Sequence, residues 1–415
     1  MSPVERTSFK LAPALLAMAL YAAGARADEA ETPRFSFGGF GTVGVVHSSE
    51  KNADFTSGIY RPNGAGHTHA WSADADSRIG AQLTATLSPR LSAVLQVISE
   101  QNYDDTYRPH VEWANLKYQF TPDFSVRAGR TVLPIFLLSE VQNVGYANPW
   151  VRPPLDFYSL VPIDSSDGVD ASYRAHFDKL ASTFRFTHGR SFARFPSGTA
   201  KTTDGWGISN TSEYGAFTAH ASYFKARTTF SVYKPLFDGF RQFGAEGIAL
   251  ADRYEPSNTA VTFFGLGATY DPGKWFVTGE RGFVGSDSVL GKRSAWYASG
   301  GYRMGKLTPY VTYARRKSQS DTSDPGLTLS ALPPSLAGRA AALNAGLNAG
   351  LGSVPVQATL SFGTRWDFAK NAALKLQLDH IRLGDGSVGT LINVQPGFQA
   401  GGKVNVFSST VDFVF

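Results

Sequence analysis

Apolar and polar residues alternate along most of the chain. From Arg78 the run RIGAQLTATL places Ile79, Ala81, Leu83, Ala85 and Leu87 on one face and Arg78, Gly80, Gln82, Thr84 and Thr86 on the other, the two-residue period of a β-strand. FSVRAG sets Phe124, Val126 and Ala128 against Ser125, Arg127 and Gly129. TLSFGTRWDF sets Leu360, Phe362, Trp366 and Phe368 against Ser361, Gly363, Arg365 and Asp367, and ALKLQLD sets Leu374, Leu376 and Leu378 against Lys375, Gln377 and Asp379. The last run, SSTVDFVF, repeats the pattern: Phe407, Ser409, Val411, Phe413 and Phe415 share a mostly apolar side, and the opposite side carries Asp412. A strand that ends a chain on an aromatic must be docked, since free termini fray as polar residues. Alternation by itself also permits a soluble sandwich.

The spacing of turns narrows the choice. Short polar connections fall at 88–90, 121–123, 177–179, 211–215, 271–273, 305–306 and 369–371; longer polar segments fall at 47–75, 102–109, 131–167, 188–202, 226–258, 284–292, 317–354 and 384–401. Seven short turns alternating with eight long loops predict sixteen strands, with both chain ends on the short-turn side. Phe120, Phe124, Tyr270, Trp275, Trp366, Phe368, Phe413 and Phe415 cluster beside the short turns, as amphipathic rings do at a membrane boundary. A sheet in a bilayer must satisfy its backbone internally and therefore close. The expected fold is all-β, a 16-stranded antiparallel transmembrane β-barrel over residues 35–415, its last strand paired with Phe35–Val46.

The start of the chain fits export. Arg6 and Lys10 precede the apolar stretch Leu11–Ala23, and Ala25-Arg26-Ala27 is a small-x-small cleavage site, so residues 1–27 read as a cleaved signal peptide and 28–34 as a short N-terminal segment. Removing it takes away three bases (Arg6, Lys10, Arg26) and one acid (Glu5), lowering the net charge from +5 to +3, too little to indicate nucleic acid. The chain contains no cysteine, which excludes a disulfide-stapled scaffold. Aromatics at 13% and 42 glycines suit short strands and turns better than helices.

On the export signal, the strand count and the terminal VDFVF, the chain resembles the Gram-negative outer-membrane porins over essentially its whole mature length. The segment Val144–Tyr173, VGYANPWVRPPLDFYSLVPIDSSDGVDASY, is similar to the third-loop region of the phosphate-selective-like porins. The resemblance implies short periplasmic turns, long outer loops and a third loop folded into the lumen of a homotrimeric, water-filled channel that passes small hydrophilic solutes and ions by passive diffusion. It implies a setting of outer-membrane lipid and lipopolysaccharide in a Gram-negative bacterium, with Phe415 as part of the signal read by the barrel-assembly machinery. A substrate-selective channel for small anionic or organic solutes and a non-conducting adhesin or structural barrel stand as alternatives. Phosphate selection fits poorly, because Arg152 is the one base on a loop bearing four acids.

The third loop, 131–167, is 37 residues long, a length that idle connections seldom reach. Its first part, TVLPIFLLSEV, is apolar and needs a surface to lie against; its second part is stiffened by prolines 149, 153, 154 and 162. Strand parity turns Arg78, Arg127, Arg174, Arg185, Arg303, Arg365 and Lys375 toward the lumen, with Glu100, Asp170, Glu280, Asp367, Asp379 and Asp412. The expected constriction sets wall residues Arg78, Arg127, Arg130 and Arg174 against loop residues Glu140, Arg152, Asp156, Asp164 and Asp167, a transverse field across a narrow waist. Parity points Arg130 outward, and a bulge at Gly129 is invoked to turn it inward.

Other chemistry is thin. Gly39-x-Gly41-x-x-Gly44 matches a dinucleotide fingerprint as text but runs on into a strand rather than opening a helix, so no cofactor is expected. His67 and His69 with Asp74 and Asp76 lack the spacing of a metal site. His110, His176, His188, His220 and His380 sit in no nucleophile motif, and an enzyme is not expected. Leu329–Gly352 reads as a small helix or cap in the seventh outer loop.

Overall fold

The structure, a computed structural model, describes residues 34–415; the expected signal peptide and nearly all of the segment after it lie outside them. Sixteen long strands make one antiparallel sheet: Arg34–Ser48, Arg78–Ser88, Leu91–Glu100, His110–Thr121, Phe124–Val132, Ser165–Phe177, Leu180–Phe195, Gly198–Tyr214, Phe217–Phe230, Thr259–Tyr270, Trp275–Ser286, Arg293–Tyr302, Leu307–Ser318, Gln357–Ala369, Ala372–Leu383 and Lys403–Val414. They are numbered first to sixteenth below. Each pairs with its neighbour in sequence, and the sixteenth returns to the first in register from Phe40↔Val414 to Ser48↔Val406. The sheet therefore has no free edge.

Six of the seven short turns fall where the sequence placed them, and the one expected at 211–215 is confined to Gly215-Ala216, residues 211–214 continuing the eighth strand. One long loop does not exist: 188–202 is mostly strand, the seventh and eighth strands running on to a tight turn at Pro196-Ser197. That hairpin keeps one buried face, with Ser191, Ala200 and Thr202 covered and Phe195 packed beside Tyr60 and Phe230, while its sequence lacks the clean apolar alternation of the other strands. The fifth loop folds as two helices, Lys234–Phe240 and Gly244–Tyr254, and the seventh as a helix over Pro334–Gly352. Phe237, Phe240, Ala340, Leu347 and Leu351 form a small buried core between them, so these two loops make one helical cap. No described helix is long and apolar enough to cross a membrane.

The outer face carries the apolar half of each strand, with Phe37, Val43, Leu116, Phe184, Val277, Val311, Phe362 and Leu378 all exposed. The largest buried cluster lies inside the barrel, where Leu133, Ile135, Phe136, Trp150, Phe157 and Leu160 of the third loop pack on Phe263, Phe276, Tyr297 and Tyr310 of the tenth to thirteenth strands. The apolar stretch of this loop thus finds its surface on the lumen wall. Burying each large side chain contributes about 1.5–3 kcal/mol, so the loop is held along its length.

Candidate functional site

The third loop leaves the wall after Val132 and rejoins it at Ser165, its ends closed by the Leu133 N–H donating to the Asp164 carbonyl at 2.7 Å. Between them it crosses to the far wall and is fastened by buried charges. Arg152 donates to both oxygens of Asp76, at 2.8 and 2.5 Å, to Asp379 at 3.2 Å and to Ser408 at 2.6 Å. Lys375, fully buried, pairs with Asp412 at 2.8 Å and donates to the carbonyls of Gly145 and Trp150. The Trp150 indole donates to Ser299 at 2.8 Å, and Asp156 accepts from Thr359 at 2.8 Å. Glu280 accepts from the Leu137 N–H and from the hydroxyls of Tyr158 and Tyr297.

These contacts revise the expected constriction. Arg152 and Asp156 point into the wall, buried, because a planar guanidinium between two carboxylates satisfies all three groups at once. They moor the loop and do not face the passage. Arg130 and Asp167 pair with each other at 2.7 Å. Gly129 does take a positive φ of 122°, yet the register runs unbroken from Lys117↔Arg127 to Ala114↔Arg130. Arg130 and Asp167 thus keep the parity of exposed Ala128 and Val169, on the outer side. Arg78 donates to Asn143 on the loop at 2.8 Å and lies 3.7 Å from Glu100. Asp164 accepts from Gln142 at 3.3 Å near the foot of the loop, where burial, aided by Glu100, raises its pKa.

Beside the loop lies a cavity of about 350 Å³, lined by Leu138, Glu140, Arg174, Arg185 and Glu213 among others. Here one expected opposition is present. Arg185 donates to Glu140 at 2.8 Å, and the Arg185 guanidinium, with Arg127 and Lys117 behind it, holds the Glu140 carboxyl below its ordinary value. Arg127 is braced by Asp170 at 2.8 Å and Arg174 lies 3.2 Å from Glu213. The structure thus gathers Glu140 and Arg174 with Arg185 and Glu213 around this cavity, with Arg127 and Lys117 near enough to act on Glu140. Arg185 was legible by parity; Lys117 was legible in the same way, set between exposed Leu116 and Tyr118.

A closed barrel narrowed by an inserted, salt-bridged loop is a pore architecture. The family profile described as Gram-negative porin matches residues 14–386, and the chain belongs to that family: it is an outer-membrane channel for passive diffusion. Among solved structures it is similar to the anion-selective porin from Comamonas acidovorans, at 13% identity and a TM-score of 0.54 over 92% of this chain and 100% of that one. It is also similar to Salmonella typhi OmpF in complex with daunomycin (12%, 0.53, 92% and 97%). A third is in-vitro folded OmpT of Vibrio cholerae in its trimer form (12%, 0.50, 93% and 100%). At such identities these likenesses speak to the fold. No curated protein matches the chain. Family and fold are those of a channel rather than an enzyme.

Proposed function

We propose that the waist between Glu140 and the base cluster Arg127, Arg185 and Lys117 sets the ion preference of a homotrimeric diffusion porin. The carrying observation is the ion pair of Glu140 on the loop with Arg185 on the wall, both lining one cavity, with Arg127 and Lys117 near Glu140. Three bases against one loop acid, with Asp170 spent on bracing Arg127, favour a slight preference for anions, because low-dielectric walls weaken screening at a narrow waist. The trimer rests on the trimeric form among similar structures. Export by cleavage after Ala27, insertion directed by Phe415 through the barrel-assembly machinery and a setting in lipid and lipopolysaccharide complete the reading.

The test is the reversal potential in a salt gradient across planar bilayers. Arg127→Gln with Arg185→Gln is expected to move selectivity toward cations, and Glu140→Gln toward anions. Identical reversal potentials in parent and variants, all folded, would place the selectivity elsewhere in the lumen. A substrate-selective channel is separated from a diffusion pore by saturation of conductance with one solute.

A further inference from the structure

We propose that Arg293 and Arg316 hold one small monovalent anion, of the halide class, in a closed site between the third loop and the twelfth and thirteenth strands. Neither arginine lines the cavity at Glu140, and the site does not depend on the ion preference inferred there. Arg293 stands opposite Ser318, and Arg316 opposite Ala295, so the two are diagonal neighbours on one face of the sheet, with Cα atoms about 7–8 Å apart. That face is the inner one, since Ala295 and Ala314 belong to the cluster under the third loop. The two guanidinium groups are near enough to act on each other. Both reach the end of the short loop helix Leu155–Tyr158. Arg316 donates to the Ser159 hydroxyl at 2.7 Å and Arg293 to the Leu160 carbonyl at 3.0 Å.

Charge balance points to the ligand. Arg152, Arg185, Arg303, Arg365 and Lys375 each lie within ion-pair distance of a carboxylate. Arg293 and Arg316 have no such partner among the described residues, although Arg316 is only 4% exposed. The Nε–H of each is sealed from solvent and donates to nothing among the described residues. Asp156 is near enough to act on Arg316 but forms no ion pair with it, and the titratable group acting on Arg293 is Tyr233 of the fifth loop. Two guanidinium groups against one ionised carboxylate leave a single positive charge, and a buried charge needs a counter-charge. A water molecule would satisfy the donors and leave the charge; one monovalent anion satisfies both. Geometry narrows the class further. On Arg293 the terminal nitrogens are already taken, Nη1 by the Leu290 carbonyl at 2.9 Å and Nη2 by that of Leu160, which leaves one N–H. An oxyanion is held best by two parallel donors of one guanidinium, whereas a spherical ion accepts a single N–H from each arginine. The ion and the two arginines together tie residues 159 and 160 of the loop to the wall, a fastening in addition to the Arg152 clamp.

The test uses bromide as the probe. Crystals of the detergent-solubilised full-length protein grown in sodium bromide are measured by anomalous diffraction at the bromine edge, and thermal unfolding is followed in sodium bromide and in sodium gluconate at equal ionic strength. The expected result is one strong anomalous peak between Arg293 and Arg316. Relative to gluconate, the unfolding constant of the parent is expected to fall about tenfold once bromide reaches about ten times its dissociation constant. R293Q/R316Q is expected to lose both the peak and the bromide effect, while R316K, which keeps the charge, retains part of the effect. No peak in the parent, or an equal bromide effect in the folded double variant, would overturn the assignment. So would displacement of the bromide by an equal concentration of sulfate, which marks an oxyanion site. A peak without any stabilisation over gluconate would mark an adventitious ion only and overturn it as well. The diffraction measurement uses the parent protein, so it decides even if the double variant does not fold.

Discussion

Arg152 and Asp156 stand four residues apart in one loop, both buried, and differ in what meets them. Arg152 lies between two carboxylates. Asp156 meets one hydroxyl, its Oδ1 is without a partner, and burial pushes its pKa up to about 6. An aspartate whose folded value lies above its unfolded one of about 3.9 binds its proton more tightly when folded. Its contribution is therefore most favourable at low pH and is lost as pH rises through about 6. Asp156→Asn removes the charge and keeps an acceptor for Thr359. Urea unfolding of the parent is expected to show a loss of about 1.4 kcal/mol between pH 5 and pH 8 from this group, and the variant to lack it. Parallel pH profiles would show that Asp156 is neutralised in some other way. Sequence offered Asp156 as a pore charge because parity and loop membership say nothing about which way a loop side chain turns.

At the scale of elements, the third loop is a strap moored at several points, with Arg152 as its central fastening. Arg152→Met leaves Asp76 and Asp379 buried without their cation, and breaking one side of a buried pair costs about 3–5 kcal/mol. The expected result is a folded barrel whose single-channel current is noisier and whose open conductance varies, as the strap lifts from the wall. Asp76→Asn together with Asp379→Asn should remove much of that penalty from the Met variant, and failure of this rescue would mean the clamp is not the cause. The need of the loop for an apolar surface was legible in TVLPIFLLSEV. The surface itself was not: the tenth to thirteenth strands present Phe263, Phe276, Tyr297 and Tyr310 to the lumen, so here both faces are apolar and alternation loses its sign. The long hairpin at 188–202 escaped for a related reason: Arg190, Arg194, Lys201 and the Pro196-Ser197-Gly198 turn give it the composition of a polar loop, although one of its faces is buried.

For the whole molecule the decisive event is closure of the sixteenth strand on the first. The Gly39 N–H donates to the Phe415 carbonyl at 2.9 Å and the Phe415 N–H to the Gly39 carbonyl at 3.0 Å. On the outer face the rings of Phe413 and Phe415 lie over Gly41 and Gly39, where any Cβ would overlap them. The glycines of the first strand therefore serve as seats for the terminal aromatics. Gly41→Val is expected to unseat Phe413 and lower the fraction of heat-modifiable, folded barrel in outer membranes, and Phe415→Asp to lower it further while synthesis continues. Normal yields from both would mean that the seam tolerates loss of its aromatic packing and that Phe415 is dispensable for insertion.

The sequence by itself determined the number of strands, most of the short turns, the pairing of the two ends and, for strands that alternate cleanly, the side that meets lipid. All of these follow from a two-residue period and from the rule that a sheet in a bilayer cannot keep an edge. Only the tertiary structure decided which charges oppose one another. Strand parity fixes inside or outside but not height or azimuth, which depend on the stagger between strands and on the path of the inserted loop. That is why Glu140 meets Arg185 while Arg152 and Asp156 are turned into the wall: a buried charge goes where its partners are, and two of those partners, Asp379 and Thr359, lie on strands more than two hundred residues away in the chain.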